Sequence, residues 1–125
     1  GCDTLELAKE FGTPLYVLDE TTIRNECKAY VKSFEKYYHG NGMPLYASKA
    51  LSCKELCRIA KEEGLGLDVV SGGEIYTAVQ AGSPMDKVHF HGNNKTADEI
   101  RFALESNVGK FVVDNLYELE LLNEI

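Results

Sequence analysis

The sequence lacks the features of several protein classes. No apolar run approaches the roughly 20 residues of a membrane-spanning helix, and no signal peptide is visible. There is no basic stripe either: the 125 residues include 13 Lys and Arg against 20 Asp and Glu, a net charge of −7. An acidic chain of this kind is a poor candidate for binding nucleic acid or an anionic membrane.

Metal-binding and phosphate-binding motifs are also missing. The 4 cysteines form no C-x-x-C motif and no Cys/His ligand spacing, so we predict reduced thiols, no metal site and a cytoplasmic protein. Ser71-Gly72-Gly73-Glu74 contains neither G-x-G-x-x-G nor G-K-[ST]. We interpret it as a helix cap followed by small residues that allow close packing.

The composition is that of a globular protein, with 44% hydrophobic and 26% charged residues, and the length suits one domain. The chain has no initiator Met and ends within a helical pattern at Leu121–Ile125. We therefore expect it to be part of a longer protein.

Hydrophobic periodicity predicts alternating helices and strands. A short helix over Leu5–Phe11, a strand over Pro14–Leu18 and an amphipathic helix over Thr22–His39 come first. Four strand–helix units follow, with strands beginning near residues 45, 67, 87 and 110. A capping-box pattern opens each of their helices, with the residue pairs Ser52/Glu55, Ser71/Glu74, Thr96/Glu99 and, more loosely, Asn115/Glu118.

Such alternation predicts a parallel α/β sheet with right-handed crossovers. Periodicity leaves two architectures open: a doubly wound open sheet, or about half of a (β/α)8 barrel. In both, chemistry gathers at the carboxyl ends of the strands. The polar residues at those ends are Lys49, Asp68, His91, Asn93, Asn94, Lys95 and Asp114.

Lys49 follows the strand Leu45-Tyr46-Ala47, at the mouth of the predicted sheet. It could be a solvated surface lysine, or an amine that forms a Schiff base once burial or a nearby cation lowers its pKa. Asp68 interrupts an apolar strand, where a carboxylate needs a cation or donors. Lys49 is a plausible partner, although a purely structural ion pair is the alternative.

The histidines of the third strand, His89 and His91, are one residue apart in strand order and share one face. No third ligand stands near them, so metal binding is not expected. We predict that His89 packs within the structure and that His91 lines a pocket.

Three stretches resemble the diaminopimelate decarboxylase family, within the alanine-racemase-like class of pyridoxal phosphate enzymes. They are Tyr46-Ala47-Ser48-Lys49-Ala50, the run from Gly66 to Glu74, and Phe90-His91-Gly92-Asn93-Asn94-Lys95. Thr13-Pro14-Leu15-Tyr16-Val17 resembles the usual opening of the family. The similarity covers nearly the whole chain, and the run from Gly66 to Glu74 is its most specific part.

The resemblance implies an α/β fold, with about four βα units of a (β/α)8 barrel that binds pyridoxal 5'-phosphate. Residues 21–125 would form the first half of the barrel. Residues 1–20 would supply a helix and a strand leading into it, the strand packing with a later β domain. The full-length protein would be a homodimer with active sites at the subunit interface.

The resemblance also implies residue roles: catalytic for Lys49 and Asp68, and cofactor-binding for Lys49, Ala47, Asp68 and His91. In family members the phosphate loop, the ring-stacking His and the substrate-binding Arg and Tyr come from later segments. A partner-subunit Cys does so as well.

The implied activity is decarboxylation of meso-2,6-diaminopimelate to L-lysine and CO2, the last step of lysine biosynthesis. We expect this chain alone to be inactive and to self-associate through its open sheet edges. One alternative is a non-catalytic pyridoxal phosphate-binding protein on the same barrel plan. Another is a related decarboxylase acting on ornithine or carboxynorspermidine.

Overall fold

The structure, a computed structural model, describes residues 1–125 and contains six α-helices and four β-strands. In chain order these are α1 (Thr4–Phe11), α2 (Glu20–Tyr38), β1 (Leu45–Ala47), α3 (Lys54–Glu62), β2 (Gly66–Val69), α4 (Gly72–Gln80), β3 (Val88–Phe90), α5 (Ala97–Glu105), β4 (Lys110–Phe111) and α6 (Leu116–Glu124). Single turns of 3-10 helix follow β1, at Ser48–Ala50, and precede β3, at Met85–Lys87. No helix combines the length and the apolar character needed to cross a membrane.

The four strands form one parallel sheet whose spatial order is the order of the sequence. A doubly wound sheet would reverse its strand order at one point and carry helices on both faces. Here the order never reverses, and α3, α4 and α5 contribute to a single core. The arrangement is that of consecutive units of a (β/α)8 barrel, which confirms the predicted fold class.

The core lies between the helices and one face of the sheet. Its strand residues are Leu67, Val69, Val88 and Phe90, which are at most 3% exposed. Residues that alternate with them must point to the opposite face. The register aligns four of these across the strands: Ala47, Asp68, His89 and Lys110. The helix-free face of the sheet is therefore the polar one.

The predicted capping boxes have different outcomes. Thr96 and Glu99 form a complete box at the start of α5, as predicted. Ser71 and Asn115 cap α4 and α6 through their side chains. In both of these helices, however, the glutamate reaches one residue further back than a capping box requires, to the N–H of Val70 or Asp114.

The box predicted at Ser52 and Glu55 is wrong. Helix α3 begins later, with Cys53 as its N-cap and no capping hydrogen bond from a side chain. Glu55 instead pairs with Arg58, one turn along the same helix. That charged neighbour offers the carboxylate a stronger partner than a backbone N–H does.

The strand predicted at Pro14–Leu18 is also wrong for this structure. The segment is irregular, and none of its backbone groups takes part in a backbone hydrogen bond. A strand exists only where a neighbouring strand satisfies its N–H and C=O groups, and the sheet begins with β1. Tyr16 is 100% exposed, and Leu15, Val17 and Leu18 are exposed as well.

Glu99 should make a pH-dependent contribution to stability. Its carboxylate accepts the N–H of Gly72 at 2.9 Å and that of Thr96 at 3.0 Å. Glu99→Gln should reduce the free energy of unfolding at pH 7 by about 1 kcal/mol, the usual value of a helix cap. Urea denaturation measures the loss. Glu105→Gln, on the same helix and without a side-chain hydrogen bond, is the control.

The sign of the pH dependence follows from the same contacts. The hydrogen bonds from Gly72 and then Thr96 lower the pKa of Glu99 from its ordinary 4.5. A carboxyl with a lowered folded-state pKa stabilises the fold above its unfolded-state pKa. That stabilisation disappears as pH falls through the folded-state pKa. The difference between wild type and Glu99→Gln should shrink below pH 4.5, and a constant difference would contradict the assignment.

Candidate active site

A polar cleft of about 400 Å³ opens at the carboxyl ends of the strands. Nine residues line it: Lys49, Asp68, Val70, His91, Gly92, Asn93, Val112, Val113 and Asp114. Five of the seven polar residues that the sequence predicted at the strand ends are thus brought together. Asn94 and Lys95 do not line the cleft.

Lys49 lies on the 3-10 turn that follows β1. The residue before it, Ser48, is 1% exposed. The Ser48 hydroxyl contacts the carbonyl oxygen of Asp68 at 3.0 Å and the Glu74 carboxylate at a shorter distance. These contacts fix the backbone beside Lys49. The Lys49 side chain is exposed to the cleft, and its amine makes no hydrogen bond or ion pair, so it is accessible to a ligand there.

Asp68 and His91 lie next to each other in the lining of the cleft. His91 Nδ1 lies 2.8 Å from Asp68 Oδ1, but no hydrogen bond joins the two atoms. Asp68 Oδ1 is consequently a buried carboxylate oxygen without a hydrogen-bond donor. A buried acceptor in this state favours a cationic or N–H-bearing ligand in the cleft.

His89 is half-buried below His91 on the same face, as predicted. Burial lowers the pKa of its imidazole from 6.5, and the positive charges of Lys110 and then His91 lower it further. Asp68, its register neighbour on β2, acts in the opposite direction. The lowered pKa favours the neutral form of the His89 imidazole. His89 is not among the residues that line the cleft.

Lys95 is buried behind the cleft, its side chain 1% exposed. Its ammonium donates to the carbonyls of Gly92 (2.7 Å) and Val112 (2.9 Å) and to the Glu118 carboxylate (2.7 Å). All three N–H donors are used, so this lysine cannot serve as a free amine. Of the two strand-end lysines, Lys49 is the reactive candidate.

Ala47 is aligned with Asp68 in the sheet. It also borders a second cleft, of about 410 Å³ and mostly apolar, between α2 and β1. The polar cleft does not include Ala47 in its lining. Ala47 is next in sequence to the Ser48–Ala50 turn that carries Lys49. Its predicted contact with the cofactor is based on that position alone.

The sequence interpretation missed Ser48, Glu74 and the valines of the cleft. Glu74 was predicted to cap α4, whereas its carboxylate also joins the turn that carries Lys49. One signal was present: Ser48 is a small polar residue at the end of an apolar strand. Val112 and Val113 continue the strand pattern beyond Phe111, which placed them at a strand end without indicating a pocket.

The lining fits a pyridoxal cofactor. Such a group needs an amine for its aldehyde, a carboxylate near the resulting cationic nitrogen, and a pocket of roughly 300–1,000 Å³. Lys49 offers the amine, and Asp68 Oδ1 offers the carboxylate oxygen without a donor. The arrangement is that of a lysine-dependent carbonyl-binding site at the mouth of a parallel α/β sheet.

Comparison with known families agrees with this class. The family described as "Pyridoxal-dependent decarboxylase, pyridoxal binding domain" matches residues 20–125. The chain belongs to this family, and the expected cofactor class is confirmed.

Within the family, the chain is similar to diaminopimelate decarboxylases, as the sequence resemblance indicated. It is 51% identical to the diaminopimelate decarboxylase of Bacillus subtilis over 100% of this chain, and spans 28% of that protein's length. The crystal structure of the M. jannaschii diaminopimelate decarboxylase with L-lysine matches 98% of this chain and 29% of its own, at 41% identity and a TM-score of 0.91. A Vibrio vulnificus lysine/ornithine decarboxylase with cadaverine matches 96% of this chain and 32% of its own, at 30% identity and a TM-score of 0.82.

The charges around His89 give a test of the site's geometry. Asp68→Asn should lower the pKa of His89 further, because it removes the negative charge that favours the imidazolium. Lys110→Gln should raise it, because it removes a neighbouring positive charge. NMR titration of the imidazole signals measures both shifts. His39, in the loop before β1 at the opposite end of the strands, is the internal reference. Shifts of the opposite sign would contradict the geometry.

Proposed function

We propose that this chain contributes the cofactor lysine and its neighbouring acid to a pyridoxal phosphate-dependent decarboxylase. The reaction would convert meso-2,6-diaminopimelate to L-lysine and CO2. One observation carries the proposal: a free lysine amine and a buried carboxylate oxygen without a donor share one strand-end cleft. The chain that carries them is 51% identical to a diaminopimelate decarboxylase.

Each of the four site residues has a role in this proposal. Lys49 binds the cofactor covalently through its amine. Asp68 stabilises positive charge beside Lys49, and His91 forms part of the cleft wall, with its Nδ1 atom 2.8 Å from Asp68 Oδ1. Ala47 contributes to the cofactor contact from the end of β1. When bound, pyridoxal phosphate supplies an electron sink for the electron pair of the broken carbon–carbon bond.

The choice of diaminopimelate as substrate is supported by the relatives. Those that are 51% and 50% identical are diaminopimelate decarboxylases, whereas the lysine/ornithine decarboxylase is 30% identical. The M. jannaschii structure was determined with L-lysine, the product of the proposed reaction. A decarboxylase acting on ornithine or carboxynorspermidine is the main competing assignment.

The organisation of the complete protein is part of the proposal. Residues 21–125 form the first half of the barrel, and residues 1–20 lead into it. The exposed apolar segment Leu15–Leu18 supports packing against a further β-rich domain. We propose a homodimer located in the cytoplasm, and the four free cysteines are consistent with a reducing compartment.

The function can be tested by measuring CO2 release from a panel of amino acids by the full-length protein. We expect meso-diaminopimelate to be the best substrate, ahead of ornithine, carboxynorspermidine and lysine. Lys49→Ala should reduce the rate by roughly 10²- to 10⁴-fold, the contribution of one positioned reactive group. Lys54→Ala, an exposed lysine at the start of α3, is the control.

Two results would contradict the assignment. Preference for ornithine or carboxynorspermidine would identify a related decarboxylase. Binding of pyridoxal phosphate without CO2 release from any substrate would indicate the non-catalytic carrier.

A further inference from the structure

A buried ion pair lies behind the cleft and takes no part in the proposed chemistry. The side chains of Lys95 and Glu118 are 1% and 5% exposed, and their charged atoms are 2.7 Å apart. The Lys95 ammonium also lies 5.4 Å from the centre of the Phe90 ring. Burying two charges carries a desolvation cost that a well-packed apolar pair would avoid. The remaining contacts of the pair indicate a role other than stability.

Every other side-chain hydrogen bond of the pair is made with the backbone of a cleft residue. Lys95 donates to the carbonyls of Gly92 and Val112. The second oxygen of Glu118 accepts the N–H of Asp114 at 3.2 Å. Gly92 belongs to the loop after β3, and Val112 and Asp114 belong to the loop after β4. The pair therefore joins these two loops to each other.

These two loops form most of the cleft. They contribute His91, Gly92, Asn93, Val112, Val113 and Asp114, six of its nine lining residues. Gly92 brings the loop after β3 close to β2, because its backbone has φ +113° and a side chain there would approach the Val70 carbonyl at 3.2 Å. Neither Lys95 nor Glu118 lines the cleft itself.

We propose that Lys95 and Glu118 are positioning residues that set the cofactor affinity of the cleft by clamping the loops after β3 and β4. This inference rests on the proposed function, since it takes pyridoxal phosphate as the ligand. The pair differs from the corresponding contacts at the earlier strand ends. At those strand ends, the Glu74 carboxylate accepts from the Ser48 hydroxyl. The Glu99 carboxylate accepts from the backbone N–H of Gly72. Only the ammonium of Lys95 reaches carbonyls from two loops at once.

The test replaces both partners in the full-length protein, with the double variant Lys95→Met/Glu118→Leu. Removing both charges leaves neither one buried alone, so the fold should persist. Leu56→Ala, in the core on α3 and outside the cleft, is a control for lost stability. Both variants are compared with wild type for pyridoxal phosphate affinity by fluorescence titration. Hydrogen exchange is measured in peptides covering residues 91–95 and 112–118.

We expect the double variant to bind pyridoxal phosphate about 10- to 100-fold more weakly, the range known for residues that orient metal ligands from behind. Exchange should become faster in both peptides. Leu56→Ala should change neither the affinity nor the relative exchange of these loops. Glu118→Gln, nearly isosteric, should give a smaller loss of affinity, because the amide cannot accept from both Lys95 and Asp114.

Two outcomes would overturn the inference. One is a double variant whose cofactor affinity matches that of Leu56→Ala. The other is a folded Glu118→Gln protein with wild-type affinity and wild-type exchange in both loops. Absence of pyridoxal phosphate binding by the wild-type protein would instead refute the proposed function. The exchange comparison would then still test the clamp by itself.

Discussion

The carboxyl ends of neighbouring strands are held together by the glutamate at the third position of helices α4, α5 and α6. Each carboxylate accepts an N–H near the start of its own helix and also contacts the preceding unit. The contacts to the preceding unit are Glu74 with Ser48, Glu99 with Gly72 and Glu118 with Lys95. Because every unit is tied to the one before it, the cleft residues keep fixed relative positions although they come from four different strand ends.

Much of the fold could be predicted because its signals are local. Apolar periodicity located all four strands and their helices, and parallel pairing followed from the alternation. The errors arose where the outcome depends on a partner that the local pattern does not contain. Pro14–Leu18 has the composition of a strand but no strand beside it. Glu55 has the spacing of a capping box, but Arg58 is the partner of its carboxylate.

The site was predictable to the extent that chemistry follows strand ends. That rule selected Lys49, Asp68 and His91, which share one cleft. It could not separate Lys49 from Lys95, because both follow a strand and their sequence neighbours do not show which way each side chain turns. The two lysines are distinguished by Glu118, which binds the Lys95 ammonium from 23 residues further along the chain. The contact of Ser48 with Glu74 was hidden for the same reason, since it joins residues 26 positions apart.

The central claim is that Lys49, and no other lysine, holds the cofactor. Borohydride reduction of the pyridoxal phosphate-loaded full-length protein, followed by peptide mapping, tests it directly. The structure predicts the pyridoxyl group on Lys49, whose amine is unpaired at the cleft. Label on Lys95, whose amine is held by two carbonyls and a carboxylate, or on the exposed Lys54 would contradict the account.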